Sequence, residues 1–330
     1  MPTCLMSEYR ISYVLTTYNK LPYLRHVLER LVAARQPDEE IVVADGGSND
    51  GTPEYLQQLH EAGKIQQFIS ERDKGEAHGF NKCMFMARGE VIKFITDDDA
   101  FYYPAIRQAV DFMTEHPEVD VVMGYNAALQ SEDMTFARVK EDPAKDYQRW
   151  LDHKVPFWMI GLPLLIRRSV LPLTGFFYTG VVLVDLEFIY RITSLNVNIA
   201  WCTAVLSMHI SNPNGNFNRM SVEKRTREYN RIYNFFMPTP PPRSLGSVLR
   251  ETVEAAKRPI RPAKRALFER MGWNQYQDPE RFATDYVPVA GEDPVEAAFR
   301  VCDSFLAAHN ATRPIQFIYR RPDITKVFTP

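Results

Sequence analysis

The chain reads as an α/β protein: a doubly wound, mostly parallel sheet flanked by helices, followed by a helical C-terminal extension. Three observations predict this. Apolar strand-like runs alternate with segments of helical spacing from residue 11 to residue 125. Two of these runs end at glycines or an acidic triplet, EEIVVADGG and VIKFITDDD. The 330 residues are 45% hydrophobic and 24% charged, enough for one large α/β domain and an appendage.

Residues 11–19 (ISYVLTTYN) are β-branched and apolar, the composition of a buried strand. Leu21, Leu24, Val27, Leu28, Leu31 and Val32 then recur at helical spacing. EEIVVADGG repeats the strand-then-glycine theme, and TPEYLQQLHEAG follows as a helix with Thr52 as N-cap, Pro53 in the first turn and Gly63 at the end. KIQQFIS is a weaker strand, and GEAHGFNKCMFMARG a helix closed by Gly89. EVIKFIT is a strong strand, YPAIRQAVDFMTEHP a helix ended by Pro117, and VDVVMGY a further strand. Residues 126–175 are less regular; residues 164–215 hold a strand, a helix around 184–195, a strand at 199–206 and a polar loop rich in asparagine (Asn212, Asn214, Asn216). The proline-rich MPTPPPRS (237–244) divides a domain at 1–236 from an extension at 237–330. Within the first, 9–125 forms a binding half and 126–236 a second part.

A net charge of −2 removes a chain-wide electrostatic case for nucleic acid. The N-terminus lacks a basic-then-apolar signal, no apolar run is long enough to span a membrane, and Cys4, Cys83, Cys202 and Cys302 form no CxxC pair. These features predict buried thiols in a reducing compartment, hence a cytoplasmic protein. Residues 243–273 carry a local net charge of +5 and an apolar stripe (Val248, Leu249, Val253, Ala256, Ile260). That segment reads either as a peripheral contact with the inner face of a membrane or as a solvated helix packed on the domain.

The strand ends carry the chemistry, because ligands of such sheets sit beyond the carboxyl ends. VIKFIT runs into Asp97, Asp98 and Asp99. Two unit charges roughly 5 Å apart repel by about 3 kcal/mol at an effective dielectric of about 20. A solvated turn and a site for Mn²⁺ or Mg²⁺ both fit the triplet. Side chains at i and i+2 of an extended strand share a face, so Asp97 and Asp99 are the expected ligands and Asp98 the outlier. The other strand ends supply Thr17, Tyr18 and Asn19; Asp45 with Gly46 and Gly47; and Lys74, Asn81 and Lys82 as phosphate or sugar contacts. No GxGxxG follows the first strand, which argues against a dinucleotide-binding oxidoreductase, and TTYNKLPYL is not the glycine-rich basic loop of a nucleotidyltransferase.

Taken in order, these motifs resemble the nucleotide-sugar-binding half of glycosyltransferase family 2, with its GT-A fold. The elements are Thr17-Tyr18-Asn19, Val43 to Thr52, Asp73/Gly75/Asn81/Lys82, Asp97-Asp98-Asp99, and later Gly175-Phe176 with Asp185 and Arg191; together they span about 9–215. The resemblance implies an inverting, metal-dependent transfer from a nucleotide-diphosphate sugar, of UDP type, to a hydroxyl on a saccharide or lipid-linked acceptor, in cell-envelope polysaccharide or glycoconjugate assembly. It implies donor contacts from Thr17, Tyr18, Asn19, Asp45, Gly47, Lys74, Asn81 and Asp98. It assigns Mn²⁺ or Mg²⁺ to Asp97 and Asp99 with His209 nearby, and the catalytic base to Asp185, with Glu187 as the local alternative. Arg168 carries charge suited to phosphate, and Phe157 and Trp158 would form either an acceptor platform or core. Three positions depart from the family pattern: Val184 replaces the first of a paired acid, Ala44 precedes Asp45 where Asp is common, and His78 stands where some relatives carry Asp. The missing acid leaves a second reading, a nucleotide-sugar-binding protein without transfer activity.

Overall fold

The computed structural model describes residues 8–195, 197–211, 220–237 and 280–320. The strands are β1 (Tyr9–Thr17), β2 (Glu39–Asp45), β3 (Gln67–Ser70), β4 (Gly89–Ile95), β5 (Ala100–Phe101), β6 (Val121–Gln130), β7 (Asp133–Val139), β8 (Leu164–Arg167), β9 (Ile199–Ile210), β10 (Arg281–Ala283) and β11 (Phe317–Ile318). The helices are α1 (Leu21–Ala34), α2 (Thr52–Glu61), α3 (Glu76–Met86), α4 (Tyr103–Glu115), α5 (Asp142–His153), α6 (Leu171–Thr174), α7 (Val184–Ser194), α8 (Val222–Phe236) and α9 (Pro294–Ala311).

One sheet runs β10-β7-β6-β8-β4-β1-β2-β3, with β9 on β6 and with β5 and β11 on β9. The β4-β1-β2-β3 half is wholly parallel, as the strand–helix alternation requires. Beyond β4 the sheet is mixed: β8 is antiparallel to β4 and β6, while β9 is parallel to β6. The register aligns the strand ends, pairing Thr17 with Asp45, Asp45 with Ser70 and Leu15 with Ile95. The chain beyond Ile95 therefore emerges beside Thr17 and the turn after Asp45.

Alternation along β1 splits the core. Tyr13 and Leu15 face α1, α2, α4 and α9, whereas Val14 faces α3, α5 and α7. The two layers are the doubly wound arrangement. At the start of β2, Glu39 and Glu40 are fully buried, and each is neutralised by an arginine, Arg107 and Arg88 respectively.

Several elements were not legible in the sequence. β6 extends to Gln130 and turns through Ser131-Glu132 into β7, without the Asn-Gly or Asp-Gly signal of a tight hairpin. Residues 280–320, assigned by sequence to the extension, return to the same sheet and core. β10 pairs with β7, β11 pairs with β9, and Phe299, Val301, Cys302 and Leu306 of α9 are buried with β1, α1 and α4. The basic segment 243–273, most of the proline-rich boundary and the asparagine loop at 212–216 lie outside the described residues. Among the described residues, no helix is long and apolar enough to cross a membrane, and Cys83, Cys202 and Cys302 are free and buried.

Lys93 of β4 is fully buried, and its ammonium donates to the carbonyls of Phe94 (2.8 Å) and Leu162. Burial lowers its pKa to about 7. Between that value and the ordinary lysine value, the unfolded chain holds a proton that the folded chain has lost, so stability rises with pH. We expect wild type to gain stability relative to Lys93→Met as pH rises from about 7 to about 10.5, at up to roughly 1.4 kcal/mol per unit. Paired urea titrations across that range measure the difference.

Candidate active site at the carboxyl ends of the strands

Asp97, Asp98 and Asp99 are 8, 7 and 3% exposed. A solvated turn is therefore excluded, and the triplet is not a helix cap: α4 begins after Tyr102. The chain bends at Asp97 and Asp98 instead of continuing as strand. That bend corrects the expected pairing, since the i, i+2 rule holds only for extended chain. Asp97 and Asp98, not Asp97 and Asp99, converge on one point.

That point is the ammonium of Lys20, which lies 3.3 Å from Asp97 Oδ1 and in contact with Asp98 Oδ2. Thr17 Oγ1 donates to the other oxygen of Asp97 (2.8 Å). Asp99 turns the opposite way. It accepts from His209 Nδ1 (2.8 Å), the Ile210 amide (2.9 Å) and Thr96 Oγ1 (2.6 Å). His209 and Asp99 thus bind each other, and the carboxylate orients the imidazole.

The titration behaviour follows from this charge map. Burial raises Asp97 to about 6, against the pull of Lys20. Burial works against the charge on Lys20, but Asp97 and Asp98 outweigh it and hold the ammonium charged well above the ordinary lysine range. The Asp99 carboxylate pushes His209 up to about 9. Burial also disfavours the Asp99 charge, but His209 and the three hydrogen bonds keep its pKa below the usual carboxylate value. Three carboxylates thus face one ammonium and one imidazolium.

Among the described residues, no three His, Cys, Asp or Glu side chains are arranged as ligands of one metal ion. Two buried carboxylates gathered on a cation do fit Mg²⁺ or Mn²⁺, which take one or two protein carboxylates and complete their shell with water and phosphate oxygens. In this structure the cation between them is the Lys20 ammonium. Sequence reasoning passed over it, although a lysine directly after the Thr17-Tyr18-Asn19 element was there to be read.

The neighbouring turns are locked by side chains that the sequence assigned to ligand. Asp45 is fully buried; its carboxylate accepts from the Ser48 amide (3.1 Å) and Ser70 Oγ (2.6 Å). These bonds fix the 45–48 turn. Gly47 takes φ +84°, which a side chain would strain. Asn19 sits at φ 52°, and its Oδ1 accepts from the Asn49 amide (2.9 Å), tying the first two strand ends together. The Asn81 amide group is clamped on Phe177 N (2.9 Å) and O (2.8 Å). Lys82 pairs with Glu71 (3.2 Å). α3 approaches the end of β1 at Gly79, where a Cβ would meet Thr16 Oγ1 at 1.9 Å.

Tyr18 and Lys74 are exposed near these ends. Arg168 is elsewhere: its Nε donates to the Gly89 carbonyl at the opposite end of β4 (2.8 Å). Phe157 is core, and only Trp158 is exposed.

Asp185 lies in the first turn of α7 and is half-buried. Its oxygens accept from the Gly161 amide (3.2 Å) and the Leu186 amide (2.8 Å), and burial raises its pKa. Glu187 is not a free alternative: it makes two 2.9 Å bonds to Arg191, whose Nη1 also donates to the Thr174 carbonyl and whose Nη2 is shared with the Phe176 carbonyl. Glu228 of α8 accepts from the Val182 (2.7 Å) and Leu183 (2.6 Å) amides just before α7. This buttress for Asp185 was not read from the sequence.

Residues 12–172 match the family model described as glycosyl transferase family 2. The first three curated relatives, all bacterial and all named glycosyltransferases, are 26–30% identical over 121–143 residues, and the chain spans 39–48% of their length. A poly-beta-1,6-N-acetyl-D-glucosamine synthase of Staphylococcus epidermidis is 24% identical over 119 residues, 34% of this chain and 28% of that one. Two solved structures share the fold. TarS 1-349 of S. aureus in complex with UDP-GlcNAc has a TM-score of 0.51 at 16% identity and covers 69% of this chain and 65% of its own. The mannosyltransferase PcManGT of Pyrobaculum calidifontis, in complex with GDP-Man and Mn²⁺, has a TM-score of 0.50 at 17% identity, covering 92% and 86%. By class, residues 12–172 are similar to family 2 glycosyltransferases, and the fold is the GT-A fold of these two neighbours.

Asn81→Ala removes both bonds to Phe177. We expect it to lower unfolding free energy by about 1–3 kcal/mol, read as a shifted urea midpoint with an unchanged slope.

Proposed function

We propose that the protein transfers a sugar, with inversion, from a nucleotide-diphosphate sugar to an acceptor hydroxyl in a divalent-metal-dependent reaction. One observation carries this proposal: two buried carboxylates converge on a cation where the parallel strands of a family 2 domain end. The UDP-GlcNAc and GDP-Man complexes of the two structural neighbours support a nucleotide-sugar donor, with a UDP sugar as our first choice. The Mn²⁺ of one of them supports the metal.

In this reading, the donor base and ribose lie against Tyr18, Asn19 and the 45–48 turn. Asp97 and Asp98 would hold Mn²⁺ or Mg²⁺, which supplies Lewis-acid stabilisation of charge on the leaving diphosphate. The imidazolium of His209, fixed by Asp99, adds positive charge beside the same group. Lys74 serves the phosphates from outside. Asp185, with its pKa raised by burial and its oxygens oriented by two amides, accepts the proton of the acceptor hydroxyl. The acceptor oxygen bonds to the anomeric carbon, the bond to the diphosphate breaks, and nucleoside diphosphate leaves. The polymer synthase among the relatives supports a saccharide acceptor in cell-envelope polysaccharide assembly. A cytoplasmic enzyme, peripheral at the inner face of the membrane, suits that setting.

A second reading, binding without transfer, draws on Val184 in place of an acid and on the two amides that occupy Asp185. Turnover separates the two. We expect nucleoside diphosphate release from a UDP-sugar and acceptor to depend on Mn²⁺ or Mg²⁺ and to fall about 10²–10⁴-fold in Asp185→Asn. Full activity in that variant would remove Asp185 from the chemistry; binding without release in wild type would favour the second reading.

A further inference from the structure

Lys20 is out of place as a helix residue. It is the N-cap of α1, where Ser, Thr, Asp or Asn is preferred and where a cation opposes the helix dipole. The capping is done by another residue: Asp50 accepts from the Leu21 amide at 2.9 Å. The Lys20 stem instead turns back over the end of β4, with its side chain only 13% exposed and its ammonium between Asp97 and Asp98. The left-handed Asn19 immediately before it, bonded to Ser48 (2.8 Å) and Asn49 (2.9 Å), sets that direction.

We propose that Lys20 is a tethered cation that competes with a divalent ion for Asp97 and Asp98, so that divalent-ion binding and donor binding are coupled. The proposal rests on the metal-dependent reading above. An ammonium and a divalent ion cannot share the same two oxygens, because both need them and they repel each other. Lys20 must therefore leave before Asp97 and Asp98 can ligate. Leaving means exchanging two carboxylates for water, unless another anion takes the ammonium. A donor diphosphate is that anion: it sits beside the same oxygens, and the four-carbon stem lets the ammonium follow it. Without nucleotide, Lys20 stays on the carboxylates and the divalent ion binds weakly. With nucleotide, Lys20 moves to phosphate, and ion and donor bind as a unit. The buried charge is thus covered by one cation or the other, and metal is not held idly between turnovers.

The test is Mn²⁺ binding by isothermal calorimetry, with and without UDP or GDP, on wild type, Lys20→Gln, Lys20→Met and Lys20→Arg. Thermal melts select the variants that fold; two neutral replacements guard against the loss of one. Without nucleotide, the neutral variants are expected to bind Mn²⁺ about tenfold or more tightly than wild type, and Lys20→Arg to stay near wild type. With nucleoside diphosphate, wild type is expected to tighten and the gap to narrow. Neutral variants that bind Mn²⁺ no better than wild type without nucleotide would overturn the role of Lys20, and nucleotide-dependent Mn²⁺ binding by wild type would still leave metal-dependent transfer standing. No Mn²⁺ binding by any form, with or without nucleotide, would overturn the metal-dependent reading itself.

Discussion

The structure depends on how an excess of buried negative charge is balanced at the end of one strand. Asp97, Asp98 and Asp99 follow β4 into the interior, where isolated carboxylates are strongly disfavoured. They persist because each has a counterpart: Lys20 for the first two, His209 with the Ile210 amide for the third. The compensation is incomplete, and burial still raises Asp97 to about 6. A site with this residual charge has an affinity for further positive charge built into it, which suits the proposed transfer from a nucleotide-diphosphate sugar.

The fold supplies the precision that this balance needs. Parallel register sets Thr17, Asp45 and Ser70 side by side, and the chain after Ile95 emerges next to them. Polar side chains then fix the loops to one another. Asp45 closes its own turn, Asn19 joins the first strand end to the second, and Asn81 clamps the chain at Phe177. On the far side, Arg191 and Glu228 hold the segments that lead to Asp185. Most of these residues act as positioning groups for a small number that would meet substrate.

The parallel half was legible because its signals are local: apolar runs, glycines at strand ends, and helical spacing between them. The site was legible as a neighbourhood for the same reason. What failed was direction. Asp45 and Asn81 were read for ligand contact alone, but a polar residue at a strand end also holds a loop, and only the fold shows Ser70 or Phe177 within reach. The pairing of Asp97 with Asp99 assumed extended chain where the backbone bends. Lys20 was missed because its partners are 77 and 78 positions away in sequence, and charge complementarity at that separation leaves no periodic trace. α8 was missed because most of it is polar, with Ile232 alone buried, and the β6–β7 hairpin because its turn sequence is ordinary; α9 fell in a stretch assigned only to a helical extension.

The most direct measurement is a crystal structure grown with manganese and a nucleoside diphosphate. The expected result is Mn²⁺ bound by Asp97 and Asp98 and bridged to the diphosphate, with the Lys20 ammonium moved onto a phosphate oxygen. A nucleotide bound while Lys20 still joins the two aspartates and no metal lies between them would contradict a cation-centred site.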